Sequence, residues 1–489
     1  MQLTIVFACV LAILTSYILS LNEKICGLVK GIFLPQQSLL FVIGIMSAQS
    51  NFELRRSIRD TWLNELKPEN MEYVFIVGEK FCSIPPEDRI SPYECREQKF
   101  NLLNGVTEKS EFTAGRFRQS DCVNCDKFLG FSFVVNHPIV IRRLSALKEL
   151  VERYNGLKVS LLDSATKQSI VSTRFDRSNM TDSPITSQVI DEFVLPKGYE
   201  GQIIVENEEF VPEFDCKLEM YDQSGVVRFL QLLPTFDLKP IAFYNSSCTP
   251  VTMVYSIYEL EELQSHIISK PKRLSTWRKK VMDQKYMLAE EVNERKDILL
   301  VKTIDTYRNI PDKLLYFMKW ASKRKKFHYI LKTDDDTFVD LKKVEKSLVY
   351  THMTTSFLFE HAHFNWWWSS FRVWWPVDSF GKWREDEYRS STYPPFPCGA
   401  GYVLSKDLVH YIADNSPRLH RFQGEDVSVG IWLAGLLPKT SETGLGCIWS
   451  CSLNETQVCS NLCNRPQLTV NEMYATWVSF KKCGNMCGC

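Results

Sequence analysis

Residues 328–338 read HYILKTDDDTF. The run HYILK (328–332) is short, apolar and aromatic, the composition of a buried strand. It ends in three adjacent carboxylates. Like charges this close repel, and each raises the pKa of its neighbours, so a buried strand that ends this way needs a counter-charge. A divalent cation supplies one. Alternate residues of an extended chain point the same way, so Asp334 and Asp336 can share an ion. Hard carboxylate oxygens suit Mn²⁺ or Mg²⁺. An ion held there can bridge a diphosphate and stabilise the charge of a departing nucleotide. The competing reading is a solvated acidic turn. An EF-hand loop opening at Asp334 is excluded: Val339 stands at the glycine position and Phe338 replaces a ligand, although Glu345 falls where the closing glutamate would.

Strands and helices alternate around this run. LLFVIGIMS (39–47) is a buried-strand run that leads into NFELRRSIRDTWL (51–63), a helix with a basic face; YVFIVG (73–78) is a further strand. DILLVKT (297–303) and a helix over 307–325, with Leu314, Leu315, Met318 and Ala321 near one face, precede HYILK. This texture predicts an α/β sheet. Between about residues 100 and 255 it gives way to short β-rich runs (KVSLLD, EFVLP, GQIIVE, VVRFLQLLP) separated by Gly, Pro, Asp and Asn turns. An inserted β-rich, sandwich-like domain is expected there.

Composition bounds the function. A chain of 489 residues with 45% hydrophobic and 12% aromatic content holds enough apolar surface for two folded units and is not a disordered protein. Lys+Arg and Asp+Glu both total 58. A global basic field for nucleic acid is therefore absent, and any anionic ligand must be met by a local site. LTIVFACVLAILTSYILSL (3–21) carries no charge and is long enough to cross a bilayer. It reads as a signal-anchor helix, with a cleaved signal peptide as the alternative. Either sends the rest of the chain into the secretory lumen. Seven of the 16 cysteines lie in 447–489, and no histidine follows His420. Disulfides are favoured over zinc on that composition and compartment. Sequons at Asn179, Asn245 and Asn454 fit N-glycosylation of a lumenal protein.

A second acidic site lies in FQGEDVSVGIW (422–432). Val427, Ile431 and Ala434 have helical spacing, so Glu425 and Asp426 open a helix. An acid there stabilises the helix by roughly 1 kcal/mol, or it is a general base for an attacking hydroxyl. Pairing with the DDD strand is what makes the second role competitive. Between the two sites stand Trp366, Trp367, Trp368, Trp374, Trp375 and Trp383. Flat indole faces suit both core packing and the C–H patches of sugars. Gly399 and Gly401, ahead of the strand 402–404, permit close backbone approach to a ligand.

Taken in order, several stretches resemble the β-1,3-glycosyltransferases of glycosyltransferase family 31. They are Phe41 to Trp62 with its RRSIRDTW run, DTYRNIPDKLL (305–315), Lys332 to Phe338, GKW (381–383), Tyr393 to Ser405 and EDV (425–427). The resemblance implies a GT-A fold, a Rossmann-like mixed sheet flanked by helices, and an inverting mechanism with UDP-GalNAc as donor. It implies that Asp334, Asp335 and Asp336 match the metal motif, with Lys332 before them. Asp426 matches the position of the base, with Glu425 beside it, and Arg55 and Arg59 match basic residues near the nucleotide. Trp383, Gly399 and Gly401 are candidates for the acceptor or sugar pocket. The implied acceptor is a terminal GlcNAc of a protein-linked O-mannosyl glycan. The expected layout is an anchor over 1–22, a stem over 23–38, a split GT-A domain over 39–99 and 256–446, the insert over 100–255, and a Cys-rich segment over 447–489. A single-pass type II protein of the Golgi or endoplasmic reticulum membrane follows from that layout. The other readings are a β-1,3-galactosyl- or N-acetylglucosaminyltransferase of the same family, a non-catalytic lumenal sugar-binding protein, and a metal-dependent hydrolase. The hydrolase would need further His or Asp ligands near DDD, and no suitable cluster is evident.

Overall fold

A computed structural model describes residues 38–487 except 102–104, 118–127, 155, 181–182, 207–217, 235–240, 243–247, 356–364, 379–380, 443 and 448–461. The anchor, nearly all of the stem, Asn245, Asn454 and the side chain of Asn179 lie outside what is described. Among the described residues, no helix is long and apolar enough to cross a membrane.

The α/β unit contains, in chain order, β1 (Leu39–Met46), α1 (Phe52–Asp60), β2 (Met71–Lys80), α2 (Leu260–Arg295), β3 (Ile298–Ile304), α3 (Ile310–Arg324), β4 (Phe327–Asp334), α4 (Leu341–Thr355), β5 (Trp366–Trp368), β6 (Gly401–Ser405), α5 (Lys406–Asn415), α6 (Glu425–Leu433), β7 (Lys439–Ser441) and α7 (Val470–Cys483). The strands form one sheet in the order β3-β2-β1-β4-β6-β5-β7. The four at the β3 end are parallel; β6 runs antiparallel to both β4 and β5. The unbroken apolar runs of β1 and β4 are explained by helices on both faces. Phe41, Ile43, Ile45, Tyr329 and Leu331 point into a layer with Ile58 of α1, Leu288 of α2, Leu341 of α4 and Met473 of α7. Val42, Met46 and Ile330 point the other way, against Leu314 and Met318 of α3, Leu408 of α5 and Val429 of α6.

Between β2 and α2 the chain builds two antiparallel sheets of six and four strands. Their inner faces share one apolar cluster that includes Phe131, Phe133, Leu144, Leu161, Ile203 and Met253, which is a sandwich packing. The last strand, Val251–Ile257, runs into α2, and Leu260 and Leu263 complete the same core. The boundary expected at 255 therefore falls inside a strand. The 36-residue α2 begins in the sandwich and ends against the α/β sheet.

The basic face of α1 meets the far end of α2. Arg55 is fully buried and donates to Glu291 at 2.6 Å; Arg59 donates to Glu291 at 2.7 Å and to Asp297 at 2.7 Å. Without Arg55, Glu291 keeps Arg59, but the Ala48 carbonyl and Ser47 hydroxyl lose their donor, and a buried polar group left unsatisfied costs about 1–3 kcal/mol. Arg55→Met is therefore expected to lose about that much stability in denaturant unfolding, and Arg55→Met with Arg59→Met distinctly more than the two single losses summed, since only the pair of substitutions takes both guanidiniums from Glu291. A loss below about 1 kcal/mol for the single variant would show that the pair is not a structural clamp.

Candidate active site

The sheet order reverses between β1 and β4. Crevices at such a switch point, beyond the carboxyl ends of parallel strands, are where open α/β sheets bind ligands. The last registered pair is Met46 with Asp334. Past it the chain splays into two loops that stay tied together: the Asp335 N–H donates to the Met46 carbonyl at 3.0 Å, and Asn51 Nδ2 donates to the Asp335 carboxylate at 2.9 Å. Lys313 of α3, also buried, donates to the Ser47 carbonyl at 2.6 Å and to Asp305 at 2.8 Å. The result is a cavity of about 670 Å³ whose walls include Asn51, Asp305, Tyr307, Asp334, Asp336 and Asp426. Asp334 and Asp336 are half-buried and Asp335 is buried, as alternation along an extended chain requires.

The opposite wall comes from α6. Gly424 at φ +90° turns the chain so that Glu425 and Asp426 form the first turn. Here the two acids part company. Glu425 is buried and paired with Lys332, a fully buried β4 residue whose ammonium also donates to Asp334 at 2.8 Å and to the Gly399 carbonyl at 2.5 Å. Asp426 is half-buried and faces the cavity; its Oδ1 accepts from the Val427 N–H at 2.8 Å. A Cβ on Gly399 would stand 3.0 Å from Asp426 Oδ2, so a larger residue there would press that carboxylate aside by a few tenths of an ångström.

The site is a set of interacting charges. Burial pulls the Lys332 ammonium down, but Asp334 and Glu425 more than reverse that, and its pKa lies well above the usual value. Burial lifts Asp334 to about 6, against the pull of Lys332, and lifts Asp336 with help from Asp335. Asp426 is pushed up to about 7, by burial first and then by Glu425.

A galactosyltransferase family model matches residues 278–437. The chain is 32% identical over 471 residues to UDP-GalNAc:beta-1,3-N-acetylgalactosaminyltransferase 2 of Xenopus tropicalis, covering 93% of this chain and 92% of that one. The human protein of the same name is 33% identical over 466 residues, 92% and 89% of the two chains. The chain belongs to this galactosyltransferase family, glycosyltransferase family 31. It is a glycosyltransferase, and its family uses UDP-sugar donors. A more distant member, Beta-1,3-galactosyltransferase 6 of Mus musculus, is 32% identical over 154 residues, 31% of this chain and 45% of that one.

In this family member the expected site residues divide. Asp334, Asp336, Glu425, Asp426, Gly399 and Trp383 line the cavity; Trp383 is half-exposed at 52% and donates from Nε1 to the Tyr307 hydroxyl at 3.1 Å. Arg55 and Arg59, expected near the nucleotide, do not line it; their guanidiniums are committed to Glu291 and Asp297, and Arg55 reaches the site only by donating to the Ala48 carbonyl at 2.5 Å and to Ser47 Oγ at 2.8 Å. Lys332 is a buried clamp and not a wall residue, and Asp335 reaches the cavity but braces the two loops. Gly401 makes room for Leu445 and for Asn464 of the C-terminal segment, each 3.2 Å from a Cβ built there. Three site features have no local signal in the sequence. Asp305 and Lys313 lie in the DTYRNIPDKLL run, where nothing marks them as wall and brace. The C-terminal segment contributes Cys447, Pro466 and Gln467 to the cavity, with Cys447 bonded to Cys398 and the Leu468 N–H donating to the Asp336 carbonyl at 2.8 Å.

The raised pKa of Asp426 has a signed consequence. The ordinary value is 3.8, so between there and about 7 the folded protein holds a proton that the unfolded chain has lost. Stability from this group is complete below pH 3.8 and is lost as pH rises through about 7. Asp426→Asn removes the titration. Without divalent ions, the variant should gain stability relative to the unsubstituted protein from pH 5 to pH 7, by at most about 1.4 kcal/mol per pH unit. A difference that stays flat, or shrinks, over that range would place the Asp426 carboxylate in a solvated setting.

Proposed function

We propose that this glycosyltransferase moves N-acetylgalactosamine from UDP-GalNAc, in β-1,3 linkage and with inversion, to a terminal GlcNAc of a protein-linked O-mannosyl glycan. The observation that carries the reading is the division of labour across one cavity: Asp334 and Asp336 on one wall, Asp426 on the other, and Glu425 beside it but paired with Lys332. Full-length similarity to two proteins named UDP-GalNAc:beta-1,3-N-acetylgalactosaminyltransferase 2 supports the donor and the linkage.

Asp334 and Asp336 fit a hard divalent cation such as Mn²⁺ or Mg²⁺. Both are oxygen donors facing the cavity, and burial disfavours their charge unless a counter-ion is present. Among the described residues, no group of three or more His, Cys, Asp or Glu could enclose an ion. A two-carboxylate site completed by diphosphate and water is the usual form for Mg²⁺-type ions. When bound, the metal supplies positive charge to the diphosphate of the leaving group.

The protein's own groups then have defined roles. Asp426, facing the cavity, takes the proton of the acceptor hydroxyl as its oxygen forms a bond to the anomeric carbon. The bond from that carbon to UDP breaks on the opposite face, and UDP leaves with the electron pair. Asp426 ends protonated, and its raised pKa suits an acid-base role near neutrality. Lys332 holds Glu425 in an ion pair beside Asp426. The uncharged N-terminal run, the sequons and the Cys82–Cys95 and Cys398–Cys447 disulfides support a type II membrane protein with its catalytic part in the lumen of the endoplasmic reticulum or Golgi.

A panel of UDP-sugars with a GlcNAc-terminated acceptor tests the donor. UDP-GalNAc should be turned over best, chelation should abolish transfer, and Mn²⁺ should restore it. A preference for UDP-galactose, the reading favoured by the galactosyltransferase match, or full activity in chelator, would displace the corresponding claim. Asp426→Asn should lower kcat by about 10²–10⁴ with donor binding nearly unchanged. Normal turnover by this variant, with Glu425→Gln inactive, would reverse the two roles.

A further inference from the structure

A second cavity, of about 510 Å³, lies where the sandwich meets the α/β unit. The sandwich contributes Val134, Gly198, Glu200 and Arg228; the rest comes from 90–96, from Arg308 and from the segments around Arg384 and Phe422. Pro92, Lys382 and Gln423 line this cavity and the catalytic one alike. The two spaces therefore adjoin across those residues.

Most charged groups in its walls are already engaged. Arg384 donates to Asp386 at 2.8 Å and to the Leu230 carbonyl at 3.2 Å. Glu385 accepts from the N–H groups of Gln423 at 2.6 Å and Tyr388 at 3.1 Å. Arg308 donates to Gln423 Oε1 at 2.6 Å. Two groups differ. Arg228 Nε and Glu200 Oε2 are buried atoms without a hydrogen-bond partner among the described residues. One is a donor and the other an acceptor, and they do not satisfy each other. Buried polar atoms are nearly always paired, and each exception calls for an explanation.

The charges select the occupant. An anion would meet Glu200, Glu385 and Asp386; a cation would meet Arg228 and Arg384. A neutral polyol meets neither objection, since each hydroxyl both donates and accepts. We propose that this cavity is a carbohydrate subsite in which Arg228 and Glu200 hold the non-reacting sugars of the acceptor glycan while its terminal sugar lies before Asp426. This rests on the glycan-acceptor reading above. In this role the sandwich selects acceptors by what lies behind the reacting residue.

The test compares the full-length protein with Arg228→Gln and Glu200→Gln on two acceptors, methyl β-N-acetylglucosaminide and a neutral GlcNAc-terminated trisaccharide. Both variants should raise KM for the trisaccharide about ten-fold or more, with kcat, the methyl glycoside KM and the rate of UDP-sugar hydrolysis unchanged. Unchanged hydrolysis certifies the fold of each variant. Equal effects on both acceptors, or none on either, would overturn the subsite. So would a KM change confined to a phosphorylated or sulfated trisaccharide, which would mark an anion site. Binding of the free trisaccharide, read by saturation-transfer NMR, is scored separately. If the unsubstituted protein binds it and the variants do not, the subsite stands even where no sugar is transferred, and only the assigned acceptor falls. If all three bind it equally, the subsite falls whatever the transfer rates.

Discussion

A buried lysine ammonium holds this active site together. Lys332 stands in the apolar interior of β4, where an unpaired charge would be untenable. Its three donors go to Asp334 at the end of its own strand, to the Gly399 carbonyl, and to Glu425 at the start of α6. One cation thus joins the strand of the DDD run, the turn before β6 and the helix that carries Asp426. It also sorts the acids. By engaging Glu425 it leaves Asp426 as the carboxylate of that helix turn without an ion pair among the described residues, and by balancing Asp334 it limits the negative charge that builds up in the cavity wall.

Around that clamp the fold supplies rigidity from distant parts of the chain. β1 and β4 part at the switch point, and the loops beyond them are re-tied by Asn51 to Asp335 and by Lys313 to Ser47. The C-terminal segment closes the side, through the Cys398–Cys447 disulfide and the backbone bond from Leu468 to Asp336. The arginines of α1 stand one layer further out; Arg55 links Glu291 of α2 to the loop after β1. Since α2 starts in the sandwich core, the same helix also ties the insert to the catalytic sheet.

What could be read in the sequence follows the range of the interactions. The β4 run, the alternation that turns Asp334 and Asp336 to one side and buries Asp335, and the helical spacing after Asp426 are all local, so residue patterns carry them. The α/β texture is local too, because helices on both faces demand continuous apolar strands. The role of Lys332 was not legible: a lysine within an apolar strand looks like a strand-end charge until Glu425, 93 residues on, is brought beside it. The pairing of Arg55 and Arg59 was hidden for the same reason, since their partners Glu291 and Asp297 lie beyond the entire insert. Gly401 read like a site glycine, and only the tertiary position of Asn464 shows that packing demands it. Asp305 and Lys313 satisfy each other across a short stretch of chain, but nothing local says that the pair faces a cavity.

The role of Lys332 is open to one direct measurement, a double-mutant cycle on folding stability with Lys332→Met and Glu425→Gln at neutral pH without metal. If the ammonium and the carboxylate are a mutually dependent buried pair, Lys332→Met alone is strongly destabilising. Adding Glu425→Gln then recovers part of the loss, with a coupling energy of about 1–3 kcal/mol. If the two effects add to within about 0.5 kcal/mol, Lys332 does not hold the two walls together, and the division of roles between Glu425 and Asp426 loses its physical cause.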